Sequence, residues 1–215
     1  MTTSVDTSID PARTALLVMD FMNDMVHPDG KFADQGWPAQ IEQRGTIANA
    51  ARALGEARKV GMPVLHVRVA WRPGHPDANR DAPLFAGVAQ ADALVEATWG
   101  ADFHPDLQPA DGELVILKRS VSAFAGTELD RLLTRKGIDT LVLAGFSTSF
   151  VVEGTARDAV DRGYRVVVLE DCCSSQTADM HQFAVQVVLP LLGEVTTVDE
   201  LIQALRGESV SRVRA

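Results

Sequence analysis

Residues 141–160 read LVLAGFSTSFVVEGTARDAV, and how this stretch divides decides the fold. The unbroken apolar run at 141–144 is what a strand buried on both faces of a sheet requires, since neither face offers its side chains water. Gly145, Phe146, Ser147, Thr148 and Ser149 interrupt the run. Beyond them Val151, Val152, Thr155, Ala156, Ala159 and Val160 recur with the period of one helical face. Glu153, Arg157 and Asp161 alternate in charge on the other face, four residues apart. The stretch therefore reads as strand, tight turn and helix. Such a turn aims backbone N–H groups at whatever lies above the sheet edge, a place for an anion or a nucleophile. This one carries Phe150 and Val151 where that chemistry wants a thiol or hydroxyl.

Working outward, the same pattern repeats. Strands are expected at residues 15–19 (ALLVM), 64–70 (VLHVRVA), 113–117 (ELVIL), 164–169 (YRVVVL) and 195–198. Helices are expected at 47–60, 127–135 and 178–191, with a last one capped by Asp199 and running to Leu205. Alternating strands and helices make a doubly wound, three-layer α/β/α fold on a six-stranded parallel sheet, with right-handed crossovers. One domain is expected over 1–215, with polar tails at 1–11 and 206–215. Residues 27–40 read as a loop over a pocket, and 71–112 as a long irregular, pocket-forming insert. The insert's aromatic pocket candidates are Trp71, Phe85 and Trp99.

Composition narrows the function classes. The 215-residue chain has a formal charge of -9, so an acidic surface argues against nucleic acid and anionic membranes as partners. The adjacent Cys172 and Cys173 cannot build a disulfide framework and fit a reducing cytoplasm. No positively charged leader precedes the first apolar run, which is far too short to span a bilayer. No glycine-rich dinucleotide or triphosphate motif follows a strand, so no nucleotide cofactor is expected. No metal is expected either: His75 and Asp77 sit two apart in a loop and share no ligand spacing with His66 or His104. His181 is expected to face solvent from its helix.

Two residues remain that carry chemistry. Asp20 follows the first strand and Lys118 the third, so both lie at the carboxyl edge of the sheet and can meet there. Asp24 reads as a cap for the next loop. With Asp20 in ALLVMDFMND, Lys118 in LKRSVSAFAGTEL, the turn in GFSTSFVVEGTARDA, and GYRVVVLEDCC behind it, the chain from about 14 to 205 resembles the isochorismatase-like hydrolases, the cysteine hydrolase superfamily.

That resemblance implies strand order 321456, a homodimer or homotetramer, and a small-molecule substrate. It makes Asp20 and Lys118 the catalytic pair and places the substrate against Phe21, Trp99, Phe124, Ser147, Thr148, Phe150 and Val151. Gly145, Thr148, Val152, Thr155 and Ala156 match the family's turn, but its catalytic cysteine is Val151 here. Val67, Arg68 and Val69 stand where some members bind metal. Valine cannot act as a nucleophile. The isochorismatase branch works without the cysteine, its aspartate acting as general acid on a vinyl ether, and the run 119–124 is similar to that branch. The expected activity is hydrolysis of a small carboxylate or ether-like metabolite, with Asp20 as general acid/base and Lys118 as its electrostatic partner. Two alternatives stand beside it: a catalytically silent relative that binds a small molecule or a partner protein, and an amidase using Cys172 or Cys173.

Overall fold

The computed structural model describes residues 9–208, so most of the two expected tails lies outside the described residues. Strands β1 (Thr14–Met19) and β4 (Thr140–Phe146) are buried at every position, as their continuous apolar runs require of central strands. They pair in parallel with each other, and β2 (Val64–Val69) takes the other side of β1. Outside these lie β3 (Leu114–Lys118) next to β2, β5 (Arg165–Ser174) next to β4, and β6 (Glu194–Thr196) at the far edge. The order β3-β2-β1-β4-β5-β6 is the expected 321456. Strand order reverses between β1 and β4, and the crevice beyond their carboxyl ends is where such sheets place ligands.

The helices, in chain order, are α1 (Asn23–Val26), α2 (Trp37–Arg44), α3 (Thr46–Lys59), α4 (Pro83–Gln90) and α5 (Leu129–Arg135). They continue with α6 (Glu153–Asp161), α7 (Ala178–Phe183), α8 (Leu189–Leu192) and α9 (Val198–Leu205). Strand side chains alternate between two cores. Leu17 and Leu143 pack with Leu133 of α5 and Ala156 of α6 on one face. Leu16 and Val142 pack with Leu54 of α3 and Leu201 of α9 on the other. A third, smaller cluster joins Met22, Phe32, Val69, Trp71 and Phe103 over the sheet's carboxyl edge.

The structure corrects several local expectations. Strand β5 does not stop at residue 169: a register shift opposite Leu143 and Gly145 lets it continue to Ser174, so both cysteines lie inside the strand. The insert contains helix α4, started by Pro83, and two short turns at Trp99–Ala101 and Pro105–Leu107. Helix α2 begins at Trp37, inside the expected covering loop. The single helix expected at 178–191 is interrupted by a wider turn at Ala184–Val188. Helix α9 is capped by Thr197, not Asp199: the Thr197 hydroxyl accepts from Glu200 N while the Glu200 carboxylate accepts from Thr197 N. His66 is fully buried within β2 and pairs with Glu113 at 2.8 Å, so that strand face is drier than its polar residues imply.

Gly145 sits near the end of β4, where the backbone must run close to β1. A Cβ there would lie 2.9 Å from Met19 O, 3.1 Å from Met19 Cβ and 3.2 Å from Val152 Cγ2. Gly145→Ala is expected to destabilise the fold by about 1–3 kcal/mol. Thermal denaturation should show Tm falling by roughly 2–4 °C per kcal/mol, and an unchanged Tm would contradict this close approach.

Candidate active site

Asp20 is the first residue past β1, and its φ of 58° turns the chain out of the strand. That left-handed conformation costs about 1–2 kcal/mol for most side chains and is best tolerated by Asn and Asp. The Asp20 amide donates to Val67 O at 3.0 Å, which fixes the residue to the end of β2. Lys118 closes β3, on the far side of β2. Across that gap Asp20 Oδ2 meets Lys118 Nζ at 2.7 Å, with both side chains almost entirely buried. Lys118 Nζ also donates to Ser120 O at 2.8 Å and Val121 O at 2.9 Å, so all of its ammonium hydrogens are taken. Asp20 Oδ1 is buried with no partner. Burial pushes the Asp20 carboxyl up to about 6, against the pull of the Lys118 charge and hydrogen bond.

The turn after β4 begins at Ser147 and winds through the π-helical segment Thr148–Val152. The Val152 and Phe150 amides both fold back on Ser147 O, at 3.1 and 3.4 Å. Thr148 Oγ1 is hydrogen-bonded to His181 Nδ1 at 2.8 Å, and His181 Nε2 lies 3.4 Å from Glu170 Oε2. His181 and Arg44 both hold the Glu170 carboxyl below its ordinary range. The expectation that His181 faces solvent is therefore overturned. Its ring is 2% exposed because the turn's buried hydroxyl needs a partner and α7 supplies it.

The cysteines are not part of this turn. Cys172 and Cys173 are fully buried, and the Cys173 thiol faces Leu143 O at 4.0 Å. Burial pushes Cys173 up to about 12 and raises Cys172 as well, so neither forms a thiolate near neutrality. Both thiols lie inside β5, away from the turn where the family's nucleophile would stand.

Asp20, Lys118, Ser147, Phe150 and Val151 line one cavity of about 60 Å³. At ~10–15 Å³ for each water-sized group, it holds about four to six of them. Its upper wall comes from the insert, with Trp71 and Phe85, and from the entry to α2, where Phe32 and Trp37 stack at 4.7 Å. No local pattern marks Phe32 or Trp37 as a pocket residue, though both lie in the loop expected to cover the pocket. Four residues expected at the substrate lie elsewhere. Trp99 is 48% exposed and sits edge-on to His27, Phe21 is in the core beneath the sheet, and Thr148 is turned to His181. Phe124 lies under Arg162, 4.9 Å from its ring centroid. Asp24 ties the wall together as the expected loop cap, accepting from Lys31 N and Leu94 N at 3.2 and 2.7 Å. A larger open groove of about 710 Å³ lies between α3 and α9, with surface ions such as Arg52 and Asp199 and no buried acid. The buried Asp20–Lys118 pair lines the smaller cavity. Among the described residues, no group of three or more His, Cys, Asp or Glu is placed to hold a metal ion.

Residues 14–200 match the family model for the isochorismatase domain. The chain is similar to the uncharacterized isochorismatase family protein YecD of Escherichia coli O157:H7, at 35% identity over 196 residues, 89% of this chain and 96% of that one. It is also similar to the maleamate amidohydrolase of Pseudomonas putida, at 33% identity over 198 residues, 90% and 87% of the two chains. Among solved structures, an isochorismatase family protein from Desulfovibrio vulgaris superposes with a TM-score of 0.78 at 34% identity, covering 90% of this chain and 98% of that one.

The buried thiols give a direct check of the site's composition. Ellman's reagent is expected to find no reactive thiol in the native protein, and both Cys172 and Cys173 after unfolding. Rapid labelling of either in the native state would contradict the burial described.

Proposed function

The chain belongs to the isochorismatase family of hydrolases, and we propose that it works on a small metabolite without a covalent intermediate, using Asp20 as general acid and base and Lys118 as its electrostatic partner. One observation carries this reading. Asp20 has one oxygen fixed to Lys118 and the other free, in a cavity whose turn residue Val151 offers no nucleophile. The maleamate amidohydrolase relative splits an amide by its name, and in cysteine members of the family a thiolate forms the acyl intermediate. Val151 cannot accept an acyl group, and in this reading water is the attacking group.

The free oxygen, Asp20 Oδ1, is suited to an acid-labile carbon–oxygen bond. The neutral carboxyl gives its proton to an enol ether, forming an oxocarbenium ion and leaving Asp20 as a carboxylate beside the Lys118 charge. Water adds to the cation and returns one proton to Asp20. The resulting hemiketal breaks its carbon–oxygen bond to release a carbonyl compound and an alcohol, so only water is consumed. Lys118 opposes the neutral form, yet it stabilises the carboxylate that appears as the proton leaves. With the carboxyl at about 6, roughly a tenth of it is protonated at neutral pH, enough to serve as the acid.

On a panel of small enol ethers and esters, Asp20→Asn is expected to lower kcat/KM by about 10²–10⁴-fold. In the parent, kcat/KM should fall about ten-fold per pH unit above about 6, because the protonated form is the active one. Lys118→Met removes the charge that lowers the Asp20 carboxyl, so this limb should move to higher pH. Unchanged turnover in Asp20→Asn sinks the proposal. A rate that rises through the same pH range would leave Asp20 as a base alone.

A further inference from the structure

The cavity wall is unusual for a site expected to take carboxylates. Among the described residues, Asp20 and Lys118 are its only charged side chains, and they are bonded to each other. Lys118 has no hydrogen left to donate, since Asp20, Ser120 O and Val121 O take all of them. The nearest cation in sequence, Arg119, is not in the wall and is tied to Asp77 and Glu96. Ser120 Oγ donates to backbone carbonyls of its own loop. An anion entering here would leave water, find no unpaired cation, and stand beside the Asp20 carboxylate.

What the wall does offer is different. Trp71 is 1% exposed, and its indole Nε1–H is a buried donor without a partner. Asp20 Oδ1 is a second orphan of the same wall, an acceptor that would repel the oxygens of an anion. Buried polar atoms are nearly always satisfied, and an orphan indole N–H on a residue of this wall calls for a ligand that accepts from it. The remaining surface is mostly aromatic and aliphatic, including Phe32, Trp37, Phe85 and Val151.

Taking this cavity as the substrate site, as the proposed function does, we propose that it accepts an uncharged, compact and mainly apolar molecule bearing a carbonyl or ether oxygen, and turns carboxylates away. The oxygen accepts from Trp71 Nε1–H, and the apolar body fills the space against Phe85 and Val151. Neutrality of the ligand follows from the saturated Lys118, and its size from the cavity.

Methyl isopropyl ketone and isobutyrate test this, because they share a shape and differ by a methyl group against a charged oxygen. Binding of each to the intact protein is followed by proton–nitrogen correlation spectra, with the Trp71 indole signal assigned from Trp71→Phe. The ketone is expected to bind saturably, shift the Trp71 indole signal, and bind at least about ten-fold more tightly than isobutyrate above pH 7. Leu84→Arg places a cation at the 39% exposed rim of the wall and should raise the isobutyrate affinity by about ten-fold. Equal or tighter binding of isobutyrate to the parent, no saturable binding of the ketone, a Trp71 signal that stays in place, or no gain in Leu84→Arg would each overturn the proposal. The readout is binding alone. Failure of the catalytic reading would appear only in turnover and would leave this preference standing.

Discussion

The structure turns on one buried ion pair. Asp20 and Lys118 leave water together, and neither has a second charged partner in the cavity wall. Desolvating each ion costs several kcal/mol, which a contact of 2.7 Å offsets only when the remaining hydrogens also find acceptors. Ser120 O and Val121 O meet that condition for Lys118, so the loop after β3 is shaped around the ammonium group. Asp20 is left with an unsatisfied oxygen, and burial raises its carboxyl from 3.8 to about 6. A carboxyl raised by folding favours the fold below pH 3.8 and weakens it as the pH climbs toward 6. The loss is about 3 kcal/mol at most. Such an arrangement is poor design for stability and good design for moving a proton.

The rest of the sheet edge serves that pair. Left-handed φ at Asp20 and the parallel β1–β2–β3 register bring the two strand ends within reach. The turn after β4 holds its shape without help from a nucleophile. Thr148, His181, Glu170 and Arg44 form a connected polar web from the turn through α7 and β5 to the end of α2. Trp37, at the other end of α2, walls the cavity. That web holds the turn, and Val151 forms part of the cavity's apolar wall.

Much of this was legible in the sequence. Continuous apolar runs such as ALLVM mark doubly covered strands, and a charged residue directly after such a run has to emerge at the sheet edge, which locates both Asp20 and Lys118. Other features depend on contacts between distant segments. His181 belongs to a helix whose pattern looks solvent-facing, and its burial follows from distant partners, the Thr148 hydroxyl 33 residues away and the Glu170 carboxylate. Strand β5 runs past its apolar core because a register shift against β4 readmits Cys172 and Cys173 to the ladder. Trp37 and Trp99 are both aromatic residues in loop-like sequence. Packing on Phe32 and Phe146 brings Trp37 to the cavity, while contact with His27 holds Trp99 outside. Nothing in the local pattern of either residue separates the two.

The mechanism depends on one carboxyl, that of Asp20, being held near neutrality in its cavity. Titration of carbon-labelled aspartate side chains by NMR measures it directly. The expected result is an aspartate signal titrating at about 6 that disappears in Asp20→Asn. If the Asp20 carboxyl instead titrates near 3.8, the acid that the mechanism requires does not exist.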